Sequence, residues 1–316
     1  MGIFSSIEQL GSRFTEPVNL ALGMFDGVHL GHQQVLQASQ NHACEINGNA
    51  VAFTFPTHPA SFLRPEHAPP LLMNAEQKAK MLHSYGMNHV ILRSFDHELA
   101  QVEANEFALF MKERIPSVAG FSVGKNFRFG KDRIGDASFL KHVAGKMGIE
   151  VEIVDFKSMD GTVVSSSIIR EKLRAGDITK VNHMLGRSYR IDGIVSSGKK
   201  MGRQIGFPTM NIAWNPEATP AFGVYAGMVK HLGEGIKAPA VANYGIRPTV
   251  ENDARVPKLE IHILDEFNEE KWGYNSEVEM ALEHFIRPEK KFDSIDELKK
   301  QIEMDRSKAN ALLQMS

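Results

Sequence analysis

Apolar positions in the first half of the chain fall into two alternating kinds of segment. Short, nearly continuous apolar runs at 18–25, 50–55, 89–95, 120–123 and 151–156 read as strands buried on both faces. Between them, 31–45, 75–85, 104–114, 136–147 and 166–175 carry apolar residues at helical spacing. The resulting β-α-β-α order predicts an α/β layer, a parallel sheet with helices on both faces. Ligands of such sheets bind beyond the carboxyl ends of the strands.

After about Leu185 the pattern changes. Short alternating segments separated by Gly and Pro follow one another, with no helical spacing until the last twenty or so residues. Leu259, Ile261 and Ile263 fall on one side of their segment, with Glu260 and His262 on the other. Val278, Met280 and Leu282 alternate in the same way with Glu277, Glu279 and Glu283. Strands at 189–197, 209–214, 223–231, 238–244, 258–264 and 276–285, closed by a helix at 294–313, are enough for a small antiparallel six-stranded β-barrel with a C-terminal helix. Two domains are therefore expected, 1–185 and 186–316, which suits a chain of 316 residues.

Composition narrows the class of function. Lys and Arg total 36 against 38 Asp and Glu, a formal charge of −2, so no bulk field marks the chain for nucleic acid or an anionic membrane. The single cysteine, Cys44, excludes an internal disulfide and a cysteine zinc site. No apolar run approaches the ~20 residues of a membrane span. A cytoplasmic protein is expected, with no nucleic-acid or membrane partner. At the N-terminus, Ser5 and Glu8 have the spacing of a capping box that opens a short helix.

The first concentration of chemistry is Gly23-Met24-Phe25-Asp26-Gly27-Val28-His29-Leu30-Gly31-His32, where an apolar strand gives way to a helix. Backbone amides at a helix N-terminus point at an anion, glycines let a phosphate approach the backbone, and two histidines three apart share a face. Zinc at His29 and His32 would need further ligands that no Cys partner or HExxH pattern supplies. Two more stretches fit the same theme. Lys125, Asn126, Arg128, Lys131 and Arg133 are interleaved with Phe127, Phe129 and glycines, as a loop for a polyanion and a flat ring would be. Ser165, Ser166 and Ser167 begin a helix with Arg170 one turn on. Taken singly, these read equally well as a solvated basic turn and an N-cap.

Together these residues resemble the nucleotidylyltransferase superfamily, with its HxGH signature on a Rossmann-like sheet. The ordered stretches GMFDGVHLGHQ, FTFPTHP, the FRFG-centred loop and SSSIIR are similar to the FMN adenylyltransferase module of prokaryotic bifunctional riboflavin kinase/FAD synthetases. That resemblance implies that His29, His32, Ser165, Ser166 and Arg170 hold ATP phosphates, with Gly23, Phe25, Asp26, Gly27, Gly31 and Ser167 completing the nucleotide site. Asn126 and Arg128 would lie at the nucleotide and flavin site, with Phe55 bordering the flavin pocket. The terminal phosphate of FMN is already anionic, so such a site needs alignment and charge neutralisation more than a base. The local cations expected to matter are His29, His32, Arg128, Arg170 and Arg203.

The second concentration is Gly202-Arg203-Gln204-Ile205-Gly206-Phe207-Pro208-Thr209-Met210-Asn211 at a strand entrance. Thr209 and Asn211 alternate to one face, where hydroxyl and amide oxygens suit Mg²⁺ shared with ATP phosphates. A turn with a capped strand accounts for any one of these residues alone. This stretch, with FGVYAG, GIRPTV, LEIHILD and IRPEKKFDS following in order, resembles the riboflavin kinase module. The resemblance implies Thr209 and Asn211 as metal ligands, Glu260 as general base, and Gly202, Arg203, Gly206, Pro208 and Arg247 as nucleotide contacts. Met210 stands where that family has a small residue, and it either crowds the metal or points into the core.

Taken together, the two resemblances imply a bifunctional enzyme. Riboflavin and ATP give FMN and ADP, then FMN and ATP give FAD and pyrophosphate, both with Mg²⁺. The alternatives are a single active module, or a flavin-sensing regulator without turnover.

Overall fold

The computed structural model describes residues 2–196, 202, 205–246, 257–265, 268 and 271–315. It divides into two compact units, Met1–Ser166 and Ser167–Ser316.

The first unit is built on a parallel sheet of β1 (Gly2–Phe4), β2 (Val18–Leu22), β3 (Asn49–Thr54), β4 (His89–Leu92), β5 (Val118–Gly124) and β6 (Glu150–Val154), in the order β1-β4-β3-β2-β5-β6. Around it lie α1 (Ile7–Gly11), α2 (Leu30–Glu45), α3 (Ala75–Ser84), α4 (Phe107–Arg114) and α5 (Ala137–Gly145). The α/β layer read from the sequence is this sheet.

The period of two in the strands sorts large from small. Val18, Leu20, Leu22, Val51 and Phe53 share one core with Ile7, Leu10, Phe107, Met111 and Leu140. The alternate positions Ala21, Ala50 and Ala52 share the other with Val35, Leu36, Ala79 and Leu82 of α2 and α3. Alanines let these two helices sit close over the sheet, whereas the opposite face fills its space with large side chains.

Chain order reverses its direction of travel between β2 and β5, which are neighbours in space. That is the switch point at which an open α/β sheet leaves a crevice.

The N-terminal cap lies one residue later than expected. Ser6, not Ser5, is the N-cap of α1 and accepts from the Gln9 backbone N–H at 3.3 Å, while the Gln9 side chain accepts from Ser5 N at 3.0 Å. Ile7 and Leu10, both fully buried, set that register.

The second unit opens with α6 (Ser166–Arg174), cut by the division at its first residue, and α7 (Ile178–Leu185), which the expected elements lacked. A closed barrel follows. Its strands are β7 (Tyr189–Ser196), β8 (Met210–Ile212), β9 (Gly223–His231), β10 (Lys237–Gly245), β11 (Lys258–Ile263) and β12 (Glu277–Pro288), in the order β7-β8-β11-β10-β9-β12, with β12 returning to β7.

Leu259, Ile261, Ile263, Val278, Met280 and Leu282 are all buried, as their alternation predicts. The C-terminal helix α8 (Ile295–Gln314) sets Ala309 and Leu313 over the outer cluster of Val224, Ala226, Val241 and Ile286. Asp305, 4% exposed, locks it by accepting from the Arg287 guanidinium at 2.8 and 3.0 Å. Such a fork fixes direction as well as distance.

Candidate active sites

The first site stands at the sheet's switch point, and its backbone is wound tightly. Phe25 and Val28 have φ of 48° and 38°, and Gly27 has 81°. Positive φ in a bulky and in a β-branched residue is costly, so such a turn persists only where its surroundings hold it. Several bonds hold this one. Asp26, 1% exposed, accepts at Oδ1 from Leu72 N at 2.9 Å. Its backbone carbonyl accepts from the Ser166 hydroxyl at 2.9 Å, and Thr54 donates to the Met24 carbonyl at 2.9 Å.

From this turn α2 rises with His29 as its N-cap. His29 Nδ1 accepts from His32 N at 3.3 Å, an unusual cap in that the acceptor is an imidazole. The rings of His29 and His32 then stack, with centroids 3.6 Å apart and planes 16° from parallel, and Phe25 meets His32 edge-on at 5.4 Å. A Cβ on Gly31 would come within 3.2 Å of the His29 ring, so glycine keeps this end of the helix open.

His32 is held neutral well below its ordinary pKa, by burial first, then by His29 and by the cation of Lys78. His32 was expected among the local cations; as placed here it presents a neutral ring that can make hydrogen bonds. Its Nδ1 is buried and lacks a partner among the described residues.

Lys78 itself escaped the sequence reading. It is 0% exposed on α3, and its ammonium donates to the Phe55 carbonyl at 2.6 Å. The signal was present, since Lys78 falls on the same helical stripe as Ala75, Ala79 and Leu82.

Phe55 follows β3 at the same end of the sheet. It belongs to an edge-to-face series, Phe53–Phe55 at 5.5 Å, Phe55–Phe95 at 5.6 Å and Phe62–Phe95 at 6.0 Å, whose outer member Phe62 is half exposed. Asn126 and Arg128 follow β5 at that end too, exposed on a loop whose Phe127 and Phe129 stack at 5.6 Å. Arg128 approaches Asp136 at 3.6 Å. Ser165 and Ser166 are partly buried and Ser167 is exposed. Ser167 and Arg170 lie beyond the division; Arg170 is 7% exposed on α6.

In the second unit, β8 pairs antiparallel with β11 so that Asn211 stands directly opposite Glu260. Directly opposed residues share a face, so the amide and the carboxylate project together, both partly exposed. Met210 between Thr209 and Asn211 is 2% exposed and packs inward, opposite Ile261. Of the two readings of Met210, the core is where it goes.

The preceding loop is pinned by Phe207 N donating to the Gly202 carbonyl at 2.7 Å. Gly202 has Phe207 and Thr209 pressed against the place a Cβ would occupy, and Gly206 has φ of 90°. Glycine is needed at both. Arg203 and Arg247 lie outside the described residues. His262, two places past Glu260, was read only as a polar position. It is 9% exposed and bonds through Nδ1 to the Pro208 carbonyl at 2.8 Å.

Among the described residues no group of three His, Cys, Asp or Glu side chains could hold a metal. Thr209 and Asn211 offer hard neutral oxygens, which suit a cation whose charge is balanced by substrate phosphates.

Both halves of the chain are matched by known protein families. The family model for FAD synthetase matches residues 12–168 and that for riboflavin kinase matches residues 185–313. Three curated bifunctional riboflavin kinase/FMN adenylyltransferases are similar along nearly their whole length. That of Pseudomonas fluorescens is 35% identical over 291 residues, 92% of this chain and 91% of the relative. The Haemophilus influenzae protein is 37% identical over 300 residues, covering 95% and 96%. The Escherichia coli K12 protein is 32% identical over 305 residues, 96% of each.

A crystal structure of a macrolide-efflux protein from Streptococcus pneumoniae superposes with a TM-score of 0.86 at 27% identity, covering 98% of each chain. No helix among the described residues of this chain is long and apolar enough to cross a membrane. With both halves matched in order by transferase families and by relatives that carry both activities, the chain belongs to the bifunctional riboflavin kinase/FMN adenylyltransferase family.

Proposed function

We propose that the two activities are divided between the two constellations, each furnished for its own nucleophile. In the first, a phosphate oxygen of FMN attacks the α-phosphorus of ATP, FAD forms and pyrophosphate leaves. No proton need be removed, so the site supplies alignment and neutralisation. Neutral His32 and its stacking partner His29 hydrogen-bond to the phosphates at the N-terminus of α2, with Ser165 and Ser166 beside them. Ser167 and Arg170 join by the family resemblance, Arg170 bringing positive charge. Gly23, Phe25, Asp26, Gly27 and Gly31 shape the turn beneath the nucleotide. Phe55, Asn126 and Arg128 take the flavin side. The buried Nδ1 of His32, without a partner among the described residues, is the observation that supports this reading, since such an atom is costly until a ligand satisfies it.

In the second, the ribityl hydroxyl of riboflavin attacks the γ-phosphorus of ATP while Glu260 takes its proton, and ADP leaves. Thr209 and Asn211 hold Mg²⁺, with Gly202, Arg203, Gly206, Pro208 and Arg247 around the nucleotide. When bound, Mg²⁺ supplies charge neutralisation to the transferring phosphoryl group. The direct opposition of Asn211 and Glu260 across β8 and β11 carries the assignment, because it puts proton acceptor and metal ligand on one face. Met210, turned inward, leaves that face clear.

The split into 1–185 and 186–316 serves as the functional division, and a cytoplasmic setting suits both reactions. Incubation with Mg-ATP and either riboflavin or FMN, followed by separation of the flavins, tests the whole scheme. FMN from riboflavin and FAD from FMN are expected. Absence of either product defeats the corresponding half.

A further inference from the structure

We infer that His262 is a positioning residue for phosphorylation of riboflavin, setting the Pro208–Asn211 segment against the strand that carries Glu260. The inference rests on the proposed roles of Thr209, Asn211 and Glu260.

The geometry is specific. His262 Nδ1 lies 2.8 Å from the Pro208 carbonyl, a group that can only accept, so Nδ1 carries the proton and donates it. The other ring nitrogen, Nε2, is buried without a partner among the described residues. A histidine placed only for packing has no need of so short a bond to a loop. The carbonyl it takes belongs to the peptide plane that ends at Thr209 N, and that plane is rigid. Fixing the oxygen of Pro208 therefore fixes the direction in which the chain enters Thr209.

Three further contacts converge on the same turn. The Phe207 ring, 7% exposed, meets the His262 ring edge-on at 5.8 Å. The Arg306 guanidinium from α8 lies 5.7 Å from the centre of the Phe207 ring. Phe207 N is tied to the Gly202 carbonyl at 2.7 Å. His262 and Glu260 stand two apart on β11 and share its outer face, about 7 Å from each other along the strand. One strand thus presents the proton acceptor and, one pleat on, the anchor that holds the metal-binding segment. β8 pairs with the same strand through Met210, Asn211 and Ile212, so the anchor extends that short pairing by one fixed point on its N-terminal side.

The test compares His262→Leu, which fills space without donating, with His262→Asn, whose amide nitrogen replaces the Nδ1 donor. Magnesium dependence of FMN formation is measured in each, together with calorimetric titration of ADP with and without Mg²⁺. FAD formation from supplied FMN reports on the rest of the chain. For His262→Leu, half-saturating Mg²⁺ for FMN formation should rise about tenfold, and the gain in ADP affinity on adding Mg²⁺ should be lost, with FAD formation unchanged. His262→Asn should recover most of both. Wild-type magnesium dependence and ADP binding in His262→Leu would overturn the inference. So would equal loss in His262→Leu and His262→Asn, which would make His262 a packing residue. The underlying assignment fails separately, if Glu260→Gln phosphorylates riboflavin at the wild-type rate.

Discussion

His29 and His32 stack ring on ring at 3.6 Å, while the Lys78 ammonium sits fully buried beneath the same site. Two imidazoles at that distance cannot both ionise cheaply, and a nearby lysine makes it harder still. Burial, added to by proximity to like charge, explains why His32 is neutral.

A pH dependence of stability follows from that pairing. In the unfolded chain His32 titrates near 6.5, and in the folded chain well below it. As pH falls through 6.5 the unfolded state takes up the proton first, so stability contributed by His32 is full above that value and is lost below it. The slope approaches 1.4 kcal/mol per pH unit for one such group. His89, also shifted down by burial, adds to the same slope. Melting temperature between pH 7 and 5 should fall less steeply in His32→Leu than in the unaltered chain.

Glu260→Gln keeps the shape of the side chain and removes the proton acceptor. Riboflavin phosphorylation should fall 10²- to 10⁴-fold, roughly the usual contribution of a general base, with FAD formation from supplied FMN intact. Separated flavins measure both. Equal loss of the two activities would contradict the division of labour.

Lys78→Met removes the ammonium that donates to the Phe55 carbonyl at 2.6 Å. A buried acceptor left without its donor costs about 1–3 kcal/mol. Chemical denaturation should show that loss in the first unit. The His32 pKa, freed of a neighbouring cation, should move up toward its ordinary value, and proton NMR of the imidazole reads that directly.

Gly130→Ala should disturb the loop that bears Asn126 and Arg128. Gly130 has φ of 75°, and a methyl there would stand 2.7 to 2.8 Å from Ala104 atoms. A destabilisation above about 1 kcal/mol is expected, together with a raised KM for FMN in FAD formation and an unchanged KM for riboflavin in its phosphorylation.

Much of this fold is legible in the chain itself. Buried strands and amphipathic helices carry periods of two and 3.6, and both halves announce themselves that way. The α/β layer and the barrel were therefore readable, and motifs single out His29, His32, Thr209, Asn211 and Glu260 as candidates. Three-residue β1 has too little length for a period, and its pairing with β4 is a tertiary choice. Lys78 and His262 were missed for a different reason. Lys78 looks like an interruption of its apolar stripe and His262 like an ordinary outward position until their partners are known, and both partners are backbone carbonyls, of Phe55 and Pro208, which a sequence does not display.

The inward turn of Met210 has a consequence for how the barrel closes. β8 is only three residues long, and so short a strand has little of its own to resist sliding against β11. A slip by one position exchanges faces. It would push the hydroxyl of Thr209 and the amide of Asn211 into the hydrocarbon interior and strand a thioether in water. Met210 is thus the residue that makes misregistration self-penalising, and Thr209 and Asn211 are kept outward by what their neighbour refuses to expose.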